Sequence, residues 1–382
     1  MKILFYQWHS FMNRGIESAF DKLGLEYDIF FYQQTDWEKD DGIVEQLEMR
    51  LKIGEYAFVF SVNFAPLISQ VCQREQMLYV SWVYDAPIDI RDISSMHNSC
   101  NRIFFFDRIQ AEGYRKQGII AYHMPLAADI HSFEGRRVVE ARNHIYQTDV
   151  SMVGQLYQTE YNYYSLPLSA YQKGYLEGII NSQRLVYGGY FLNEMLDPGV
   201  LDSLNRCYDK ASGGTASITK AELEYMLACE ITSRERRMAL ALLSNYYKVQ
   251  LYSKKSDECL KKVEFKGYAD YYSQMPKIFR ESKINLNISL KIIQSGIPLR
   301  VFDVLGTGGF LISNYQVEMP EMFELDKDFV VYESMEDLYM KVKYYLAHDT
   351  ERERIARHGY ETVEKFHTFT QRIQSILEEV MK

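Results

Sequence analysis

The sequence predicts an α/β protein with two domains, each built around a parallel β-sheet. Its 382 residues suit two domains rather than one. Short, nearly continuous apolar runs alternate with helical patterns, and this alternation stops near residue 130 and restarts near residue 149. Strands that are apolar on both faces are typical of parallel sheets covered by helices on both sides. Two such sheets are expected to face each other across a cleft, with ligands at the carboxyl ends of their strands.

The first domain is predicted to span residues 1–140. Helical patterns cover residues 15–23, 43–52 and 66–75, and the polar segment 131–146 is predicted as the linker. The apolar runs predicted as strands are residues 2–8, 27–31, 56–61, 77–83, 101–106 and 121–125.

The second domain is predicted to span residues 141–365, and residues 366–382 are predicted as a C-terminal helical segment. A helical insertion is expected at about 160–245, with an exposed loop at 211–217. Thr232 and Glu235 have the spacing of a capping box, which predicts that a helix begins there. The predicted strands are residues 149–153, 249–252, 263–268, 284–288, 310–313 and 329–332. The other predicted helices are residues 276–281, 299–305, 334–348, a helix from 350, and 369–381.

The chain is organised around the stretch 284–314. Apolar and polar residues alternate in its strand, and Pro298 stands where helices tend to begin. Glycines at positions 306, 308 and 309 then end the short helix. A loop that leads into a helix presents N–H groups and a partial positive charge at the helix start, which suits an anion.

Arg300 and Asp303 lie three residues apart in this short helix, so their side chains share one face. A guanidinium suits a phosphate and a carboxylate suits a sugar diol, and a nucleotide diphosphate requires both. The alternative interpretation is a surface ion pair, which contributes little to stability.

Composition excludes several classes of protein. Hydrophobic content of 47% and charged content of 25% are ordinary for a globular protein, and a net charge of −9 argues against a nucleic-acid binder. The five cysteines include no C-x-x-C pair, which fits a reducing compartment and no zinc site. The first ten residues read as a strand rather than a signal peptide, and no window has the about 18 apolar residues of a membrane span. We therefore expect a cytoplasmic protein.

Two blocks of sequence resemble a known family. SGIPLRVFDVLGTGGFLISN, preceded by VEFKGYADYYSQMPKIFRESKINLNIS, resembles the donor half of GT-B glycosyltransferases. It is most similar to the group-1-type transferases that include the CgeB-like spore-maturation proteins. VFSVNFAPLIS, YVSWVYDAPID, CNRIFFFDR and YHMPLAAD resemble the N-terminal domain that accompanies this donor half. The resemblance implies two Rossmann-like domains facing across a cleft, with the C-terminal helix crossing back to the first domain.

The resemblance also implies donor-site residues. Two glutamates with seven residues between them line the donor site of the broader family, and they match Ser295 and Asp303. Asp303 is expected to hold ribose hydroxyls, whereas Ser295 has no carboxylate and departs from the pattern. Arg300 is expected to bind the diphosphate, and Gly296 is counted with Ser295 in the donor site.

Three further positions match the family's nucleotide pocket. Gly154 and Gln155 match the glycine turn where the backbone approaches the phosphates, and Tyr268 matches a position near the nucleobase. An ordinary turn at the end of a strand is the alternative for Gly154.

Two residues of the first domain are candidates for acceptor chemistry. Asp85 ends a strand in the run WVYDAP, where a carboxylate could act as base toward an acceptor hydroxyl. A turn residue is the alternative. His9 follows the first strand and is expected to face the same cleft, although helix capping or core packing would explain it equally well.

Three arginines, Arg234, Arg236 and Arg237, are predicted in the first turn of the helix that begins at Thr232. Positive charge is unfavourable there unless an anion binds. A phosphate contact is one interpretation, and a solvated face is the preferred one.

These observations, with the resemblance, predict a glycosyltransferase that moves a sugar from a UDP-, dTDP- or GDP-sugar to a protein, a glycan or another cell-surface acceptor. No cofactor is expected, and metal-independent transfer is predicted because no Asp-x-Asp motif stands in a suitable place. A nucleotide-sugar 2-epimerase and a non-catalytic nucleotide-sugar-binding protein are the alternatives.

Overall fold

A computed structural model describes residues 1–88, 90–130, 145–158, 168–214 and 217–382. Almost all of the predicted linker, and part of the predicted loop 211–217, lie outside these residues. Contacts divide the chain into two compact units. Unit 1 comprises Met1–Ala141, Ser295–Thr307 and Gly359–Lys382, and unit 2 comprises Arg142–Gln294 and Gly308–His358. The domain boundaries at 140 and 365 stay predictions.

The helices and strands follow one another along the chain as strand–helix repeats. The first half contains β1 (Lys2–Gln7), α1 (Asn13–Lys22), β2 (Glu26–Phe31), α2 (Asp41–Ile53), β3 (Phe58–Val62), α3 (Pro66–Arg74), β4 (Leu78–Val83), β5 (Asn101–Phe105), α4 (Arg108–Lys116), β6 (Ala121–His123), β7 (Thr148–Val153), α5 (Ala170–Arg184) and α6 (Leu192–Met195). The second half contains α7 (Pro198–Ser212), α8 (Lys220–Ser244), β8 (Val249–Tyr252), β9 (Glu264–Gly267), α9 (Met275–Glu281), β10 (Ser282–Asn287), α10 (Leu299–Gly306), β11 (Leu311–Asn314), α11 (Met319–Met322), β12 (Val330–Tyr332), α12 (Met335–Ala347), α13 (Asp349–Phe366) and α14 (Phe369–Val380).

The sheet of unit 1 has six parallel strands in the order β2-β1-β3-β4-β5-β6. Every residue of β3 is buried, as the apolar run in the sequence predicts. The chain passes from β1 to β2 on one side and then to β3 on the other side of β1. The loops after β1 and β3 therefore diverge, and such a reversal is where open α/β sheets form ligand crevices.

The sheet of unit 2 also has six parallel strands, in the order β12-β11-β10-β7-β8-β9. Its strand order reverses between β7 and β10, where Ile284 lies opposite Val150. The prediction of an α/β fold with two parallel sheets is confirmed.

Helix starts were predicted with mixed success. The helix predicted from residue 334 is α12, and Ser334 caps it, because its Oγ accepts the N–H of Asp337 at 3.0 Å. The prediction that a helix begins at Thr232 is wrong, because α8 continues through it. The capping box of α8 is formed by Thr219 and Glu222, while the Thr232 hydroxyl donates to the carbonyl oxygen of Ala228 at 2.8 Å. A threonine inside a helix can bond the preceding turn, so the capping-box spacing alone does not locate a helix start.

The C-terminal helix α14 packs within unit 1, the position that the resemblance implies. The Phe369 ring lies 5.6 Å from the Trp82 ring. Arg372 donates to the carbonyl oxygens of Pro125 and Leu126 at 3.1 and 3.2 Å. Burial lowers the pKa of Arg372 to about 10. Among the described residues, no helix combines the length and apolarity that crossing a bilayer requires.

The packing of α14 on α1 leaves no space for a side chain at Gly15, because a Cβ there would lie 2.7 Å from Phe369 Cδ2. We expect Gly15→Ala to lower the free energy of unfolding by about 1–3 kcal/mol through overpacking. Gly113→Ala, also in a helix of unit 1 but with open space around its Cβ, should raise it by about 0.5–1 kcal/mol. Thermal unfolding midpoints of the two variants and the wild type measure this. Equal shifts in the two variants would contradict the packing described.

Candidate functional site

The strand reversal in unit 2 brings two loops together at the carboxyl edge of the sheet. Gly154 and Gln155 follow β7, and Ile288 follows β10, the neighbouring strand. Gly154 has φ +155°, which L side chains rarely adopt. The predicted glycine turn after the first strand of this domain therefore lies at the position where open α/β sheets bind ligands.

A single guanidinium, that of Arg236 in α8, joins these two loops. Its Nε donates to the carbonyl oxygen of Ile288 at 3.1 Å, and its Nη2 donates to the same oxygen. Its Nη1 donates to the carbonyl oxygen of Gln155, and the guanidinium lies 4.8 Å from the centre of the Tyr157 ring. Arg236 is only 8% exposed. The prediction that it belongs to a solvated face at a helix start is therefore wrong.

Gly154 is in close contact with this arginine. A Cβ at position 154 would lie 3.2 Å from Arg236 Nη1. The glycine thus allows the backbone of the β7 loop and the guanidinium to approach each other, and it leaves peptide groups accessible to a ligand. A buried positive charge beside bare backbone at a sheet edge suits a phosphate group.

The two neighbouring arginines also lie inside α8, so the prediction of a helix start is wrong for them too. Arg234 forms ion pairs with Glu177 and Glu230, each at 2.7 Å. Arg237 pairs with Asp257 at 2.6 Å. Of the three arginines, Arg236 is the one that contacts both loops of the reversal. A signal in the sequence could have identified it, because it lies four residues before the buried Leu240 on the apolar stripe of the helix.

A buried acid and a buried lysine lie next to this arrangement. Glu235 accepts hydrogen bonds from the hydroxyls of Tyr187 at 2.9 Å and Tyr332 at 3.4 Å. Lys291, in the loop after β10, donates its Nζ to the carbonyl oxygen of Val186 at 3.0 Å and lies 5.1 Å from the centre of the Tyr187 ring. Burial raises the pKa of Glu235. Burial also lowers the pKa of Lys291, an effect that the negative charge of Glu235 opposes.

Unit 1 has a pocket of about 220 Å³ at the reversal of its own sheet. Asp85, the predicted base, lies in this pocket just after β4. Asn63, just after β3, donates its Nδ2 to Asp85 Oδ2 at 2.6 Å. The lining residues are Trp8, Trp37, Asn63, Phe64, Asp85 and Ile88.

His9, the other predicted catalytic residue, does not line this pocket. Its side chain is exposed and its ring packs against Phe31, with 5.2 Å between ring centroids. Its backbone N–H donates to Gln33 Oε1 at 3.2 Å. The structure therefore places Asp85, but not His9, within the pocket.

Arg300 and Asp303 share one face of α10, as predicted. Arg300 Nη1 lies 3.0 Å from Asp303 Oδ2. Asp303 is only 2% exposed, so this is a partly buried ion pair rather than a surface one. By their contacts both residues belong to unit 1.

Ser295 and Gly296 are held by Asp107 in unit 1. The backbone N–H of Ser295 donates to Asp107 Oδ2 at 2.9 Å, and its hydroxyl donates to Asp107 Oδ1 at 3.1 Å. The N–H of Gly296 donates to Asp107 Oδ2 at 3.2 Å, and a Cβ there would lie 2.9 Å from the backbone oxygen of Phe106. These two positions therefore anchor the segment that leads into α10.

Tyr268 lies apart from the loop after β7. It follows β9, and β8 separates that strand from β7. Two strand spacings correspond to roughly 10 Å. Its side chain is 56% exposed, so it is accessible at the same edge of the sheet, but the structure does not bring it against Gly154 or Gln155.

A larger pocket of about 700 Å³ occurs at the opposite edge of the sheet in unit 2. It is lined by residues at the amino ends of strands, including Thr148, Lys248 and Ser282. Ligands of open α/β sheets bind at the carboxyl ends, so this pocket is not the candidate site. In the part of the chain that the structure describes, no three His, Cys, Asp or Glu residues cluster as metal ligands would.

Comparison with known proteins agrees with the fold. Residues 232–378 match the family described as glycosyl transferase-like. No curated protein matches the sequence significantly. The solved structures that match over the whole chain include the following three. A glycosyltransferase from Rickettsia africae is 10% identical, with 100% of this chain and 98% of that chain covered and a TM-score of 0.54. The sucrose-phosphate synthase of Thermosynechococcus elongatus is 10% identical, with 100% of this chain and 99% of that chain covered and a TM-score of 0.54. Anabaena HepE in complex with UDP-glucose is 9% identical, with 100% of this chain and 99% of that chain covered and a TM-score of 0.53. The chain therefore has the two-domain α/β fold of GT-B glycosyltransferases.

The buried lysine predicts a pH dependence of stability. Burial holds the pKa of Lys291 below its ordinary value of 10.5 in the folded state, so between the two values the unfolded chain binds more protons. Stability contributed by this group should therefore rise as pH rises towards 10.5. We expect the unfolding midpoint of the wild type, relative to that of Lys291→Met, to increase as the pH rises towards 10.5. Lys261→Met, at an exposed lysine of the same unit, is the control. A difference that does not change with pH would show that Lys291 is not buried as described.

Proposed function

We propose that this protein is a glycosyltransferase that uses a nucleotide diphosphate sugar as donor. The observation that carries the proposal is the arrangement of Gly154 and Arg236 at the strand reversal of unit 2, where a diphosphate could contact bare backbone beside a buried positive charge. The segment that matches the glycosyl transferase-like family, residues 232–378, includes Arg236. The full-length likeness to HepE, a protein crystallised with UDP-glucose, supports a UDP-sugar as the first donor to test.

In this proposal Arg236 acts as a positioning residue. Its hydrogen bonds to the carbonyl oxygens of Gln155 and Ile288 fix the two loops, and its charge attracts the diphosphate. Negative charge grows on the diphosphate as the bond to the sugar breaks. A preorganised positive charge in a buried place stabilises that transition state more than it would in water.

For α10 we retain the predicted roles as proposals. Arg300 would neutralise the departing diphosphate, and the 3.0 Å contact with Asp303 would fix the direction of its guanidinium. Asp303 was also predicted to hold the ribose. Donor contacts by Ser295, Gly296 and Tyr268 are likewise proposals.

On the acceptor side, we propose that Asp85 is the base. It would take the proton of the acceptor hydroxyl as that oxygen bonds to the anomeric carbon and the nucleotide diphosphate leaves. The hydrogen bond from Asn63 would hold the carboxylate in place. The acceptor is a protein or a glycan.

Donor binding can be tested with Gly154→Ala. A methyl group there would crowd Arg236, so we expect UDP and UDP-glucose to bind at least about tenfold more weakly, which corresponds to roughly 1.4 kcal/mol. Titration calorimetry with UDP measures this. The matched control is Gly308→Ala in the same unit, where φ is +77° and no atom lies within 4 Å of the added Cβ.

Backbone strain should lower the stability of both variants, but only Gly154→Ala should lose affinity. Equal affinities of the two variants for UDP would contradict the proposed diphosphate site. Thermal shifts with UDP, dTDP and GDP would identify the nucleobase of the donor, because a ligand that binds only the folded state raises the unfolding midpoint.

The role of Arg300 is tested by the rate of sugar transfer in a variant that lacks it. We expect Arg300→Ala to lower the rate of sugar transfer by roughly 100-fold, since removing one electrostatic stabiliser of a transition state costs about 2.7–4 kcal/mol. Arg74→Ala, which removes an exposed partner of Glu48, should leave the rate unchanged. Wild-type activity in Arg300→Ala would show that this arginine does not act on the diphosphate.

The same assays separate the two alternative functions. Conversion of the sugar in a nucleotide sugar without any acceptor would indicate a 2-epimerase. Tight binding of a nucleotide sugar without turnover on any acceptor would indicate a binding protein.

A further inference from the structure

We propose that the pocket of unit 1 binds a sugar ring of the acceptor, so that the acceptor is a glycan rather than a protein. This inference rests on the proposed glycosyltransferase function and extends it to the class of the second substrate. The pocket of about 220 Å³ has room for one small ring and not for a folded protein surface. Its walls combine two indoles with one carboxylate and one amide.

The two indoles form a right-angled corner. The Trp8 and Trp37 rings lie 5.3 Å apart between centroids with an interplanar angle of 90°. Trp8 also stacks on Tyr84, at 6.4 Å and 18°. The Nε1 of Trp8 donates to the carbonyl oxygen of Val62 at 2.9 Å, so the polar edge of this indole is engaged with the backbone. Trp8 therefore contributes its apolar ring to the pocket, and such a surface suits the C–H face of a pyranose.

The polar side of the pocket contains both kinds of hydrogen-bonding group. Asn63 is 9% exposed and has φ +59°, a conformation that asparagine tolerates better than most residues. Its Oδ1 accepts the backbone N–H of Tyr84 at 3.0 Å, and its Nδ2 donates to Asp85 Oδ2 at 2.6 Å. A hydroxyl both donates and accepts, so it suits a carboxylate beside an amide. A sugar presents several such hydroxyls around one apolar face.

The loop that carries Trp37 is fixed before any ligand binds. Glu38 Oε1 accepts the backbone N–H of Asp92 at 3.0 Å, and it also accepts the N–H of Arg91 at 2.5 Å. The Tyr32 hydroxyl donates to Asp40 Oδ1 at 2.9 Å, and Asp40 caps α2. Binding would therefore require little ordering of the loop, which favours affinity for a small ring.

A cationic ligand is the main competing occupant, since aromatic rings beside a carboxylate also bind quaternary ammonium groups. The Asn63 amide argues against it. Its Nδ2 donates a hydrogen bond to Asp85 Oδ2, so one of the carboxylate oxygens that a cation would contact is already engaged with a neutral donor. A neutral hydroxyl does not require that charge.

Tryptophan fluorescence reports directly on this pocket. The protein has three tryptophans, and two of them, Trp8 and Trp37, line the pocket. The third, Trp82, is fully buried and donates to the carbonyl oxygen of Met124 at 3.1 Å, so it gives a constant background. The full-length protein would first be screened on a glycan array. Hits would then be titrated, beside methyl hexopyranosides, methyl N-acetylhexosaminides, tetramethylammonium and a serine- and threonine-rich peptide, without any donor.

We expect saccharides from the array to change the fluorescence saturably. Trp37→Ala should weaken this binding by roughly tenfold or more, and Trp37→Phe, which keeps an aromatic face, should retain most of it. Unchanged unfolding midpoints would show that both variants are folded. Asp85→Asn should leave saccharide affinity within a few-fold while abolishing transfer, because the amide keeps the acceptor oxygen next to Asn63.

Four outcomes would overturn the inference: no saccharide binding, saccharide binding that Trp37→Ala leaves unchanged, a saturable response to tetramethylammonium, or a saturable response to the peptide. Because no donor is present, the assay is independent of the UDP titration. Saccharide binding without UDP binding would contradict only the proposed donor site. UDP binding without saccharide binding would contradict only the inference that the acceptor is a glycan.

Discussion

The site in unit 2 depends on one buried interaction, that of the Arg236 guanidinium with the carbonyl oxygens of Gln155 and Ile288. The loops that carry these carbonyls follow neighbouring strands, but the strand order reverses between them, and sheet hydrogen bonds do not hold them together beyond the strand ends. The arginine provides that connection from a helix. A buried carbonyl group such as that of Ile288 would cost about 1–3 kcal/mol without a donor, so the hydrogen bond that positions this loop also satisfies its backbone.

In unit 1, a neutral side chain connects two loops at the carboxyl edge of the sheet. Asn63 stands at the reversal of its sheet, and its amide joins the loop after β3 to that after β4 by accepting the N–H of Tyr84 and donating to Asp85. The difference in charge fits the proposed ligands. A guanidinium beside bare backbone suits an anionic diphosphate, while an amide beside a carboxylate and two indoles suits an uncharged ring with hydroxyl groups.

The sequence predicted the residues at the strand ends better than the residues that reach them from distant parts of the chain. Asp85 was identified because it ends an apolar run, and strand ends are where parallel sheets bind ligands. Gly154 was identified from the family resemblance, which implies a glycine turn after the first strand of this domain. Arg236 was misjudged because the capping-box spacing of Thr232 and Glu235 suggested a helix start, where an arginine would be exposed. In the folded protein those residues lie in the middle of α8, where a residue is buried or exposed according to the face of the helix on which it lies. Trp37 was not identified at all, since nothing near it in the sequence indicates that its loop packs against Trp8.

By itself, the sequence determined the fold class, since periods of about two and 3.6 residues specify strands and helices, and fully apolar strands specify parallel sheets. It also determined that Arg300 and Asp303 share a face, because they lie one helical turn apart. The tertiary structure alone decided the order of the strands and the partners that meet at each reversal. Arg236 and Gln155 are 81 residues apart in the chain, and no local pattern encodes a contact over that distance. Such contacts follow from how helices pack onto a sheet, which depends on the apolar surfaces of many residues together.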